Sequence, residues 1–190
     1  MILTENPQDN CTSPSHQNLL DFYPHTDLSY VNNPPDIIAM HTIYNNNNEY
    51  GSSIFCDVSK MVSMLSTKAK EELQKPNFIF IPPEHYTGNP KLQGFPILTW
   101  QETTLSWNIR FRKDKLKFLN EKDVSIEYID ELLNAIDCNT FFLKPPENSF
   151  YFINNRTILH GRTGYKKQIV KYINSKNRLV NRIYINACTE

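Results

Sequence analysis

Residues 37–44 (Ile-Ile-Ala-Met-His-Thr-Ile-Tyr) put apolar and β-branched side chains on both faces of an extended chain. That pattern predicts a strand buried on both sides. Shorter apolar runs predict strands over 53–57, 78–81, 141–143, 150–154, 157–160 and 178–185, with one or two more within 98–111. Helical spacing appears twice. Val62, Leu65, Ala69 and Leu73 recur at intervals of three or four, which predicts one helix over 59–74 stopped by Pro76. Ser125 is placed to cap a second helix whose apolar face carries Tyr128, Ile129, Leu132, Leu133 and Ile136. Asn32-Asn33-Pro34-Pro35, the asparagine run 45–48 and Pro82-Pro83 read as turns and loops. Residues 1–18, polar and broken by Pro7 and Pro14, read as a flexible N-terminal arm before a single domain over 19–190. Many short strands, few helices and frequent Pro and Asn turns predict an all-β jelly roll with accessory helices.

Composition narrows the function. The chain has 190 residues, enough for one domain with its own core, and 12% aromatics supply large pieces for it. Formal net charge is zero, which argues against a protein dedicated to nucleic acid or a membrane surface. Charge is nonetheless uneven: 121–137 is acidic, and the stretch from Arg156 onward is basic. Solvated faces explain both. Cys11, Cys56, Cys138 and Cys188 have neither zinc-ligand spacing nor the density of a disulfide scaffold, so reduced thiols are expected. With no charged-then-apolar leader and no bilayer-length apolar run, a soluble cytoplasmic protein is expected.

The candidate chemistry lies in two histidine motifs far apart in sequence. One is Pro24-His25-Thr26-Asp27; the other is 154–162, Asn-Asn-Arg-Thr-Ile-Leu-His-Gly-Arg, with His160 near its end. On a strand, His25 and Asp27 share a face because side chains alternate with period two. With His160 they offer two imidazoles and one carboxylate, the facial set that holds non-haem Fe(II) and leaves coordination sites open. Chance pairing among five histidines is the plain alternative.

Arg178 and Arg182 sit four apart on one face of the last predicted strand, about 13 Å along the chain, with Val180 between them. Two inward guanidiniums on an apolar strand call for anions, which they can hold through paired hydrogen bonds. Salt bridges to the acidic helix are the other reading. His41 reads as a core histidine, His16 and His85 as exposed, and Trp100 and Trp107 as core. Tyr30 can line the site beside the first motif. Arg162 either supports the site from behind or makes a surface ion pair.

The segment 24–30, Pro-His-Thr-Asp-Leu-Ser-Tyr, followed by Pro34-Pro35-Asp36, closely resembles the first metal motif of the taurine dioxygenase family. Residues 154–163 resemble its second. The clavaminate-synthase-like amino-acid hydroxylases share these patterns, and the resemblance covers about residues 20–188. It implies a double-stranded β-helix in which His25, Asp27 and His160 bind Fe(II). Arg178 matches the arginine that pairs with the distal carboxylate of 2-oxoglutarate. Ser53 falls where a threonine usually contacts the same co-substrate, although a simple turn hydroxyl fits it equally. Arg182 matches a position that reaches the acidic group of the prime substrate. The implied activity is hydroxylation of a small carboxylate- or sulfonate-bearing substrate, such as an amino acid, with O2 as oxidant and release of succinate and CO2. A homo-oligomer is compatible with it.

Two departures from the pattern stand out. The interval from His160 to Arg178 is long for the family, with a lysine-rich turn around 165–176. Only 24 residues precede His25, where family members carry a longer segment that adds strands and covering helices. Three explanations compete: a fragment of a longer enzyme that lacks part of the usual N-terminal region, a catalytically inactive jelly-roll remnant acting as a binding protein, or a short form completed by a partner chain. A binding module that uses the basic residues is a further reading, which the balanced charge disfavours.

Overall fold

The computed structural model describes residues 3–5, 20–45, 51–88, 92–119, 126–164 and 178–186. Within them, β1 (Leu3–Glu5), β12 (Arg178–Ile185), β3 (Ile37–Asn45) and β10 (Ser149–Asn154) form one antiparallel sheet in that order. A second antiparallel sheet runs β2 (Phe22–His25), β11 (Ile158–Arg162), β4 (Ser53–Asp57), β9 (Thr140–Leu143). Two small pairs accompany them: β5 (Phe78–Phe80) with β8 (Leu116–Phe118), and β6 (Leu98–Gln101) with β7 (Ser106–Ile109). Three helices, α1 (Val58–Ser63), α2 (Thr67–Leu73) and α3 (Ile126–Cys138), complete the described fold. The architecture is the predicted jelly roll with accessory helices.

The second sheet is covered on both faces, and this decides where the site can lie. On one face, Cys56 and Leu159 join the helix residues Met61, Leu73, Leu132 and Ile136 and the strand residues Phe78 and Phe80 in the main core. On the other, Phe55 meets Ile38, Met40, Ile153 and Val180 of the first sheet in a smaller cluster. His160 and Arg162 alternate with Leu159 and Gly161 along β11, so they point into the space between the sheets.

Several expectations need correction. The strand over 37–44 alternates: Ile38, Met40 and Thr42 are fully buried while Ile37, Ala39 and His41 are not. His41 is thus no core histidine; it lies on the outer face and stacks at 4.1 Å on Phe150, which is itself exposed. The single helix over 59–74 is two. Asp57 caps α1 by accepting from the Ser59 and Lys60 amides, and Ser66 restarts the chain as α2 by accepting from the Ala69 amide. Periodicity alone does not register a cap inside an apolar run. Residues 3–5 of the expected loose arm form β1 against β12. The rest of that arm, Ser125, His16, Cys11, Cys188 and the turn at 165–176 lie outside the described residues. Trp100 is half-exposed and packs edge-on against Trp107 rather than in the core. The strand β8 has no clear sequence signal. None of the described helices is long and apolar enough to cross a membrane.

Candidate metal centre

The centre is built by cross-strand register. β2 pairs with β11 so that His25 stands directly opposite His160, and their rings lie 4.6 Å apart. Gly161 permits this approach, because a Cβ there would collide with the backbone of Phe22–Pro24. Asp27 arrives differently from the period-two expectation. His25 is the last residue of β2, and Asp27 opens a turn in which Leu28 takes a left-handed φ of 52°. The turn is held by Asn155. Its Oδ1 accepts from the Asp27 amide at 2.8 Å, and its Nδ2 donates to the carbonyls of Asp27 (3.2 Å) and Pro35 (2.9 Å). Its own amide donates to the Asp36 carbonyl at 2.8 Å.

The result is a buried triad. One donor atom each from His25, Asp27 and His160 lies within 4.8 Å of the others. His25 Nδ1 sits 2.9 Å from the Tyr23 carbonyl, which assigns the ring proton to Nδ1 and leaves a lone pair on Nε2. His25 Nε2 is 3.3 Å from one Asp27 oxygen, and His160 Nε2 is 3.6 Å from the other. Neither contact has hydrogen-bond geometry, so these buried ring nitrogens have no hydrogen-bond partner among the described residues. Burial pushes the His25 imidazolium down to about 4, against the partial support of Asp27. Burial alone would raise the Asp27 carboxyl, but Arg182 and the two imidazoles hold it well below the usual carboxylate range. At neutral pH the cluster therefore presents a neutral imidazole lone pair at His25 and an ionised carboxylate. Two imidazoles and one carboxylate suit a divalent first-row cation, so the residues present fit ferrous iron.

β12 supplies the far wall. Arg178, Val180, Arg182 and Tyr184 share its inward face. Arg178 Nη2 donates to Ser53 Oγ at 2.8 Å, so the two residues singled out for the co-substrate are brought together across the sheets. Arg182 Nη1 donates to Asp27 Oδ2, and the Tyr184 hydroxyl donates to the same oxygen at 3.2 Å. Neither arginine therefore takes its described partner from the acidic helix. A pocket lined by Phe22, Met40, Phe55, Tyr151, Ser53 and Arg178 opens beside the histidines. Arg162 is buried on its rim and donates to the carbonyls of Thr163 and Leu20, which excludes a surface location. Tyr30 is buried edge-on against Tyr86 in the main core, and His85 is exposed. Sequence reasoning missed the roles of Asn155 and Tyr184. Asn155 stood inside the second motif and Tyr184 continued the inward row of β12, so a period-two extension of that row pointed to the latter.

A family profile described as taurine catabolism dioxygenase TauD, TfdA family matches residues 3–184. No curated protein sequence matches the chain. Among solved structures, asparagine oxygenase in complex with Fe(II), 2S,3S-3-hydroxyasparagine and succinate superposes with a TM-score of 0.82 at 16% identity, covering 97% of this chain and 56% of that one. Non-heme iron oxygenase OrfP in complex with Fe and alpha-ketoglutaric acid gives 0.79 at 15% identity, covering 98% and 56%. These likenesses establish a shared fold. The chain spans a little over half the length of either.

Proposed function

The chain belongs to the taurine catabolism dioxygenase TauD, TfdA family, and from that membership we propose that it is an Fe(II)- and 2-oxoglutarate-dependent dioxygenase. The overall reaction would be substrate C–H plus O2 plus 2-oxoglutarate to C–OH plus succinate plus CO2. The substrate class we favour is a small carboxylate- or sulfonate-bearing molecule such as an amino acid. One observation carries the reading: a buried His25, Asp27 and His160 cluster whose two Nε2 atoms have no hydrogen-bond partner among the described residues, beside an Arg178–Ser53 pair.

A bound ferrous ion would supply the redox chemistry that couples decarboxylation of the keto acid to hydroxylation. The protein's share is binding, orientation and exclusion of water. His25, Asp27 and His160 would hold the ion. Arg178, with Ser53 beside it, would take the distal carboxylate of 2-oxoglutarate through charge-assisted hydrogen bonds. Arg182 carries five donors in a planar fork. It can keep Asp27 on Nη1 and still offer other donors to the substrate's acidic group. The enclosing apolar residues Phe55, Met40 and Ile153 keep the space between the sheets dry. A cytoplasmic location fits the free Cys56 and Cys138 thiols.

Anaerobic addition of Fe(II) and 2-oxoglutarate to the purified chain is expected to give a weak visible charge-transfer band. Asp27→Ala should abolish it; a band that survives contradicts the triad. Arg178→Ala should weaken 2-oxoglutarate binding more than iron binding, and equal loss of both would contradict its assignment. Succinate formed above the enzyme-free background would count against a non-catalytic remnant.

A further inference from the structure

The two oxygens of Asp27 have different surroundings. Oδ2 receives two donors from β12, the Arg182 guanidinium and the Tyr184 hydroxyl. Oδ1 receives neither of these donors and lies 3.3 Å from His25 Nε2, while Oδ2 stands 3.6 Å from His160 Nε2; neither ring nitrogen has a hydrogen bond among the described residues. A carboxylate whose two oxygens are equally available can rotate, or can bind a metal through one oxygen or both. Donors fixed on one oxygen remove that freedom and set the orientation of the other.

We propose that Tyr184 is a positioning residue of the metal centre: by donating to Oδ2 it holds the Asp27 carboxylate turned so that Oδ1 is the oxygen offered to the ion. This rests on the metal-centre reading above. Tyr184 is well placed for the task. Its ring packs against the inter-sheet cluster of Ile38, Met40, Phe55, Ile153 and Val180, which restricts the hydroxyl's position. It lies two residues beyond Arg182 on the same strand, so both donors approach Asp27 from one side. The pair also divides the work. Arg182 places a positive charge on the carboxylate, while the neutral hydroxyl adds direction without a second cation beside the metal. If Arg182 turns toward a substrate, Tyr184 remains as the donor that keeps Oδ2 occupied.

The test uses the whole chain and Co(II) as an oxygen-stable probe whose visible d–d bands report coordination. Wild type and Tyr184→Phe are titrated with Co(II), and the thermal midpoint of each metal-free protein is recorded. The phenylalanine keeps the ring and its packing, so the midpoint should stay close to wild type. Co(II) affinity should fall by about tenfold or more, with altered band positions and intensities as the carboxylate turns. An unchanged affinity together with an unchanged spectrum would overturn the assignment of Tyr184 alone. Failure of the wild type to bind Co(II) would instead overturn the metal-centre reading, and this inference with it. A purely structural role would move the thermal midpoint and leave the d–d bands of the bound ion as they are.

Discussion

Asn155 clamps the segment that presents Asp27: its carboxamide makes three hydrogen bonds, to Asp27 and Pro35, and its backbone amide a fourth, to Asp36. Asn155→Ala would strand the Asp27 amide and the carbonyls of Asp27 and Pro35 in a buried setting. We expect a loss of roughly 2–4 kcal/mol in urea unfolding, at about 1 kcal/mol or more for each unsatisfied group. His25 governs a separate, pH-dependent effect. Its imidazolium is pushed down to about 4 by burial, against about 6.5 for a free histidine. Its contribution to stability is complete above pH 6.5 and is lost as pH falls toward 4, because the unfolded chain takes up a proton that the folded chain refuses. The metal-free protein should lose about 3 kcal/mol from this group across that window. A bound divalent ion should shift the acid transition to lower pH, since it competes with the proton for Nε2. Thermal melts at half-unit pH steps, with and without Co(II), check both parts. At this scale the donors were readable in the sequence, because His25, Asp27 and His160 stand in recognisable motifs. Asn155 was visible as a letter of the second motif but not as a clamp. It acts on backbone atoms of a turn 128 residues away, and no local pattern encodes such a contact.

Secondary elements were legible where burial has one period and less so where two rules compete. β4 and β12 match their predicted spans of 53–57 and 178–185. The helix expected over 59–74 divides because Ser66, a polar residue within an otherwise suitable run, caps a new start more favourably than it continues the old one. The reason His25 and Asp27 converge was misread. A turn held by Asn155, in the connection between β10 and β11, takes the place of two more residues of strand. The register between β2 and β11 is the feature on which the imidazole pair depends. Gly161→Ala would drive a methyl group into the backbone of β2, where no flexible side chain can yield. That substitution should cost at least about 2 kcal/mol and abolish Co(II) binding by parting His25 from His160. Retained affinity in a folded Gly161→Ala protein would show that the pair tolerates a wider gap.

Across the whole molecule, two edge strands carry exposed aromatic rings. Phe141 and Phe142 lie on β9, and Phe150 and Phe152 lie on β10, at one border of each sheet among the described residues. Apolar side chains on open sheet edges favour association. We expect light scattering to rise with protein concentration, and to fall in a Phe150→Ser, Phe152→Ser double variant with little change in thermal midpoint. The centre, in contrast, draws on residues spread from His25 to Arg182, contributed by β2 and its turn, β4, β11 and β12. No contiguous half of the polypeptide contains it. A nascent chain still short of β12 lacks both the partner of Ser53 and the donors that fix the carboxylate. The arrangement therefore exists only once β12 has paired with β3, so a firm grip on a metal ion would report that the two sheets have closed.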